Sequence, residues 1–342
     1  MRHVSLSDRL TDSCIESLAL LLDASTDFVE AVWAQIQCRD AYRSFRVGVD
    51  RKRKITLPTE LLAELQRKIL RRLFYTGPIS PAAYAGVPGR SFIDAARIHL
   101  RDGSEVLRID IENAFGSITY GQVAKSLAKR LRYELWTMGL DRKKKCEIAS
   151  ALAHFVTLEK ELPLGAPTSV AAFNLVFLDI DREIQRLLDQ EIGQRSANYT
   201  RYVDDLVISA RKDTLSIDFA EKIGNAVWRN GFRLNESKTT LNPVEQAIVH
   251  SLCYTRRGLR PTSSMINRWV STIDALEDEL GNPASSPEQR HQIVLLLRGL
   301  DGFLQLLFEN EGISRPKNLS ISVTRQRRNE HRAPIVIDEF WP

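Results

Sequence analysis

Apolar residues recur at helical intervals toward both ends of this chain and at strand-like intervals in its middle. Leu10, Ile15, Leu18, Leu20, Leu21 and Leu22, then Phe28, Val29, Val32, Trp33 and Ile36, predict helices across residues 6–46, with Ser25 or Thr26 capping between them. Residues 47–58 read as extended. A cationic helix is predicted from Thr59, a good N-cap with Glu60 in the first turn, to about Phe74, and Gly77-Pro78 and Pro81 break it. Residues 84–91 read as a loop and Phe92–Leu100 as a short helix.

The central block predicts an α+β pattern. A strand ends at Asp110, and a helix spans Tyr120–Met138 with Gly139 as its stop and Arg142-Lys143-Lys144-Lys145 as a basic loop after it. Another helix runs through Ala149–Glu161, and a loop at 163–168 leads into an apolar helix at Val170–Leu188. Then come a hairpin at Asn198–Ala210, a helix at Ile217–Asn230, and a second hairpin at Ala247–Tyr254 closed by Thr255-Arg256-Arg257-Gly258. Met265, Ile266, Trp269, Ile273, Leu276 and Leu280 mark one amphipathic helix. A second carries Ile293, Leu296, Leu297, Leu300, Phe303, Leu304 and Leu307.

At 342 residues, 43% hydrophobic and 27% charged, the chain can hold two or three small domains. No apolar run is read as approaching the roughly 20 residues of a membrane span, so no membrane partner is expected. Met1-Arg2-His3-Val4-Ser5 lacks the hydrophobic stretch of a secretory signal. Cys14, Cys38, Cys146 and Cys253 are far apart without a CxxC pair, which points to neither zinc nor disulfides and to a reduced cytoplasmic protein. The net charge of +5 matters less than its distribution. From Tyr42 to Leu73 there are ten Lys/Arg against three acids, and Arg51-Lys52-Arg53-Lys54 beside Ile55-Thr56-Leu57-Pro58 reads as a loop offering charge to phosphates. Arg67, Lys68, Arg71 and Arg72 read equally as the solvated face of a helix.

Tyr202-Val203-Asp204-Asp205 lies between two apolar runs, so two acids sit side by side at a strand–turn–strand tip. Like charges there raise each other's pKa, and a divalent cation removes that cost. Asp110, ending Val106-Leu107-Arg108-Ile109-Asp110, supplies a third carboxylate. Alone, the acidic pair reads better as an ordinary hairpin turn; with Asp110 in its context, a nucleotidyl-transfer site with two Mg²⁺ is the better reading.

The order of segments resembles bacterial reverse transcriptases, specifically the compact group of retron and defence-associated enzymes. The resemblance covers about residues 42–262 and rests on Arg53-Lys54-Ile55-Thr56-Leu57-Pro58, Leu65-Gln66-Arg67-Lys68-Ile69-Leu70, Gly89-Arg90-Ser91, Asp110-Ile111-Glu112-Asn113-Ala114-Phe115-Gly116-Ser117-Ile118, Leu162-Pro163-Leu164-Gly165-Ala166-Pro167-Thr168-Ser169, Tyr202-Val203-Asp204-Asp205 and Phe232-Arg233-Leu234-Asn235-Glu236-Ser237-Lys238-Thr239. It implies a right-hand polymerase fold: an N-terminal helical extension at 1–46, fingers at 47–105 and in part of 120–161, a ferredoxin-like palm at 106–262, a helical thumb at 263–312 and a basic tail at 313–342.

The implied activity is RNA-directed DNA polymerisation with two Mg²⁺ ions, for which Mn²⁺ can substitute. By the same resemblance Asp110 and Asp204 bridge the ions, Asp205 supports them and the Ile111 carbonyl adds a ligand. Phe115 takes the position of a steric gate against a 2′-hydroxyl, with core packing as the alternative. Arg53 or Lys54 clamps triphosphate. Gly165 and Ala166 let backbone approach nucleobase or template, and Thr168 or Ser169 can cap the following helix. Lys238 is the general acid toward pyrophosphate, Arg67 and Arg90 face primer or template, and Tyr202 either touches the primer end or packs behind the hairpin.

A structured noncoding RNA template, an RNA/DNA duplex, deoxynucleoside triphosphates and a separate effector protein are the partners this implies, in phage defence. The chain departs from the family at Leu164 (commonly Gln) and Val170 (often Pro). From retron enzymes it departs at Ala95-Ala96-Arg97-Ile98-His99, which lacks their Asn, and at Val249-His250-Ser251, where they have Val-Thr-Gly. His99 alone reads as an ordinary structural histidine. Other readings are protein-primed or untemplated DNA synthesis, an RNA polymerase, a cyclase, and a non-catalytic RNA-binding scaffold.

Overall fold

Thr11 and Ser25 accept hydrogen bonds from Cys14 N and Phe28 N and so start the first two helices, α1 (Asp12–Leu22) and α2 (Thr26–Gln37). The computed structural model describes residues 9–47, 53–100, 104–255, 258–310, 315–319 and 321. Helix ends before the predicted position 46: β1 (Tyr42–Val47) already pairs antiparallel with β2 (Arg53–Pro58), Tyr42 opposite Pro58. Thr59 caps α3 (Glu60–Ile69), which continues as one wider turn at Leu70–Phe74. Ser91 and Asp94 form a capping box at α4 (Phe92–His99).

The strand β3 (Ser104–Asp110) follows. The predicted helix at 120–138 is two pieces, α5 (Tyr120–Arg130) and α6 (Arg132–Thr137), broken at Leu131. Arg142, Lys143, Lys144 and Lys145 are the first turn of α7 (Arg142–Val156) rather than a loop, because Asp141 accepts from Lys144 N and starts the helix before them. That helix stops at Val156, short of the predicted Glu161, as Leu158 and Glu161 pair across a tight turn.

Next come α8 (Ser169–Glu191), β4 (Ala197–Tyr202), β5 (Asp205–Arg211), α9 (Ile217–Arg229) and β6 (Thr240–Pro243). The sheet order β4-β5-β3-β6, with α8 and α9 as the crossovers, is the split βαβ arrangement of an α+β unit. The predicted second hairpin is a three-stranded meander: β7 (Ile248–Val249), β8 (Leu252–Thr255) and β9 (Gly258–Pro261). Its first turn falls at His250-Ser251, and Arg256-Arg257 lie outside the described residues. Thr262 caps α10 (Ser263–Gly281), which packs on α11 (Pro287–Asn310).

Period-2 alternation splits the sheet's surroundings into two cores. Leu107 and Ile109 of β3, with Leu206 and Ile208 of β5, face the larger core of α1–α3, α5 and α7–α9. Val106 and Val207 face a second core shared by α4, β7–β9, α10 and α11. Among the described helices, α11 is long and apolar enough, by length and composition, to cross a membrane, which corrects the expectation that no segment reaches that length. Its Leu297, Leu304 and Leu307 are buried in the second core, against α10.

Candidate active site

The antiparallel register sets Asp110 directly opposite Asp205 at the ends of β3 and β5. Both point to the sheet face that carries Arg108, two residues before Asp110 on the same strand. Like charges opposite each other destabilise a strand pair, so each acid needs its own compensation. Lys238 Nζ donates to both carboxylate oxygens of Asp110 at 3.1 Å. Arg108 donates to Asp205 through Nε (3.3 Å) and Nη2 (2.9 Å), and His250 Nδ1 lies 3.1 Å from Asp205 Oδ2.

The turn between the strands is tight. Tyr202 pairs with Asp205, leaving Val203 and Asp204 as a two-residue loop. Of these two, only Val203 has positive φ, at 55°. That slot favours glycine, and a β-branched residue there is strained. The strain is held by a buried network. Arg201, wholly inaccessible, donates from Nε and Nη2 to the two oxygens of Asp181 at 2.9 Å, and from Nη1 to Asn174 Oδ1 (3.0 Å) and the Val203 carbonyl (3.2 Å). Its guanidinium also stacks over Phe177, 4.7 Å from the ring centroid. From the other side, Ile111 N donates to the Asp204 carbonyl at 2.9 Å.

These surroundings separate the adjacent acids. Burial pushes the Asp204 carboxyl above its ordinary range and the charges of Asp110 and Asp205 add to it, while a hydrogen bond from its own backbone N–H and the charge of Lys238 only partly oppose them. Burial also pushes Asp205 up, but the hydrogen bond and charge of His250 and the charge of Arg108 outweigh it and hold that carboxyl below its ordinary value. Among the described residues no three His, Cys, Asp or Glu side chains close on a single point as a ligand cluster. The donor set nonetheless fits a hard divalent cation: Asp204 is an under-neutralised carboxylate, and among the described residues Asp110 is compensated only by an exposed lysine.

The other sequence candidates fall at varied distances from this centre. Phe115 is half-buried and packs on Phe173, ring centroids 5.9 Å apart, in the turn after β3. Tyr202 sits between Phe92 (6.4 Å) and His250 (5.2 Å). Gly165, at φ 109°, lies against β2: a Cβ there would come within 3.0 Å of Ile55 and Leu57 side chains, and the neighbouring Leu164 carbonyl accepts from Thr56 N. Its small size is therefore already required by packing on β2. Ala166 is buried nearby.

Neither predicted hydroxyl caps α8. Ser169 Oγ donates to the Pro163 carbonyl and Thr168 makes no side-chain cap bond. Arg90 is committed elsewhere: its Nη1 donates to the carbonyls of Ser80, Pro81 and Ala83, so it braces a loop where the sequence reading had it facing primer or template. Arg67 is exposed on α3. Arg53 and Lys54 lie on β2, and their side chains are outside the described residues. His99 is wholly buried between Ser209 Oγ (2.9 Å) and Thr200 Oγ1 (2.6 Å), a structural histidine.

Arg108, His250, Arg201, Asp181 and Asn174 escaped the sequence reading. Arg108 had a signal, since a strand ending in Asp110 places residue 108 on the same face. The others have none short of the fold.

The sheet order and the register bring the three acids together beside the strained turn between β4 and β5. The family model for reverse transcriptase (RNA-dependent DNA polymerase) matches residues 46–255, more than half of the chain, which therefore belongs to that family. Its relatives include the reverse transcriptase of retron Mx65 from Myxococcus xanthus, 31% identical over 194 residues, which are 55% of this chain and 44% of that protein. The retron Mx162 enzyme of the same organism is 27% identical over 205 residues, 55% of this chain and 41% of the relative. The retron Ec86 enzyme of Escherichia coli is 28% identical over 192 residues, 56% and 55% of the two chains. The chain thus spans about half the length of the curated relatives it matches.

Proposed function

We propose that this protein is an RNA-directed DNA polymerase that extends a primer by two-metal nucleotidyl transfer on a structured noncoding RNA. The observation that carries the reading is the register that sets Asp110 opposite Asp205, with the under-neutralised Asp204 beside them, in a chain of this family. Asp110 and Asp204 would hold divalent cations, with Asp205 in support. Bound there, Mg²⁺ (or Mn²⁺) acidifies the primer 3′-hydroxyl and neutralises the leaving pyrophosphate.

The chain's own residues do the rest. Lys238, beside Asp110, presents an ammonium to the leaving pyrophosphate. Phe115 lies flat beneath the incoming sugar and excludes a 2′-hydroxyl, while Arg53 or Lys54 grips the triphosphate. In this reading the four-stranded sheet is the palm, β1, β2 and the helices beside them the fingers, and α10–α11 the thumb. The names of the relatives support a retron or retron-like role; work in phage defence, a separate effector and a cytoplasmic location are further parts of the same proposal.

Primer extension on RNA and DNA templates tests this, with and without EDTA, alongside Asp204→Asn. Metal-dependent deoxynucleotide incorporation on RNA, lost in the variant, is the expected result. Extension that persists in D204N sinks the assignment. Sequencing of co-purifying nucleic acid tests the RNA partner: a single structured RNA, covalently or base-paired to cDNA, is expected.

A further inference from the structure

We propose that His250 is a positioning residue that holds Asp205 as a fixed acceptor, so that of the two adjacent acids only Asp204 turns to the cation. The proposal deepens the functional reading above and rests on it.

The placement of His250 is set by backbone geometry. Val249 pairs with Leu252, so His250 and Ser251 form a two-residue hairpin loop, and both have positive φ, 50° and 63°. That is the pattern of a type I′ turn, whose twist matches that of the flanking strands. The turn delivers the imidazole into a buried position with its side chain 5% exposed, Nδ1 on Asp205 Oδ2 and its ring 5.2 Å from the Tyr202 ring. A carboxylate only accepts, so Nδ1 carries the proton. The other nitrogen, Nε2, is buried with no hydrogen-bond partner among the described residues.

The imidazole thus does one polar job. Together with Arg108, it gives Asp205 donors from two separate elements, a central strand and the β7–β8 hairpin. Among the described residues no side chain of another residue donates a hydrogen bond to the Asp204 carboxylate, which meets only its own backbone N–H. A pair identical in composition is thereby divided into one held and one available carboxylate.

The test compares His250→Gly with His250→Asn. Glycine accepts the positive φ and removes the donor; asparagine also tolerates that backbone and places its amide N–H where Nδ1 stood. Two quantities are read: kcat and KM for deoxynucleotide in primer extension, and Mn²⁺ affinity from the electron paramagnetic resonance signal of the free ion. H250G is expected to lower kcat by about 10-fold with KM nearly unchanged and to shift the Mn²⁺ dissociation constant several-fold, and H250N to restore both. If H250G does not fold by thermal melt, Arg108→Gln, which removes the strand donor to the same carboxylate, is expected to reproduce the loss. H250G and H250N behaving alike overturns the proposal, since ring packing on Tyr202 would then be the whole role. If wild-type protein extends no primer, the functional reading falls, and the Mn²⁺ comparison still decides whether His250 sets the ion site.

Discussion

Asp204 and Asp205 are neighbours of one residue type, yet their environments push them in opposite directions, and their replacement has opposite consequences. Asp204 is held above its ordinary value of 3.8, so its ionised form costs the folded state; that cost is complete above the folded pKa and vanishes as pH falls below the ordinary one. Asp205 is held below 3.8, so it contributes stability that is present above the ordinary pKa and lost as pH falls through the lowered one. In EDTA at pH 7, Asp204→Asn is therefore expected to raise Tm and Asp205→Asn to lower it, the difference closing as melts are repeated toward pH 3. D204N should also cost activity more than the roughly 10–100-fold typical of outer partners. Equal Tm shifts at pH 7 would contradict the division of roles. Phe115→Ala is the second prediction at this scale: its half-buried ring is expected to enforce sugar choice, so the variant's preference for deoxy- over ribonucleotides should fall by at least about 10-fold in single-nucleotide incorporation. Unchanged selectivity would leave Phe115 as a packing residue against Phe173.

The β4–β5 hairpin stores strain at Val203, and such a turn persists only where its surroundings over-determine it. Here the surroundings are α8, which supplies Asp181, Asn174, Phe173 and Phe177, and the loop at 82–85. In that loop Ala82 accepts from Arg201 N, and Ala85 accepts from Asn174 Nδ2. Asp181→Asn leaves the Arg201 charge buried without its counterion, with an expected loss of about 3–5 kcal/mol in urea unfolding. Because Arg201 also holds the Val203 carbonyl, kcat should fall in the fraction that remains folded, at little change in nucleotide KM. A loss under 1 kcal/mol would mean that Arg201 is neutralised some other way.

At the scale of the molecule, aromatic rings run from the second core to the end of β4: Trp269, Phe303, Phe92, Tyr202 and His250, with successive centroids 5.2–6.4 Å apart. The helices α10 and α11 are therefore packed in continuity with the site. Net charge belongs to the same scale. With +5 overall and exposed cations on α3 and in the first turn of α7, binding of an RNA–DNA duplex should weaken steeply with salt. For 6–10 phosphate contacts the expected loss is about 10³–10⁵ in affinity between 50 and 200 mM, measured by fluorescence anisotropy. A flat salt dependence would rule out the phosphate contacts.

Local chemistry made much of this legible before any coordinates. Capping residues announced α2 and α3, helical spacing of apolar residues announced α10, short apolar runs announced β3 and β5, and the order of motifs carried the family. Where neighbouring signals competed, the reading slipped: Tyr42 could pair with Pro58 only once β2 was in place, and Asp141 drew four repelling cations into a helix. The sequence by itself determined which acids stand at strand ends, because side-chain alternation and turn chemistry are properties of a few consecutive residues. Only tertiary structure decided what neutralises each acid. Lys238 and His250 reach Asp110 and Asp205 from elements remote along the chain, and through-space charge between such elements has no local signature.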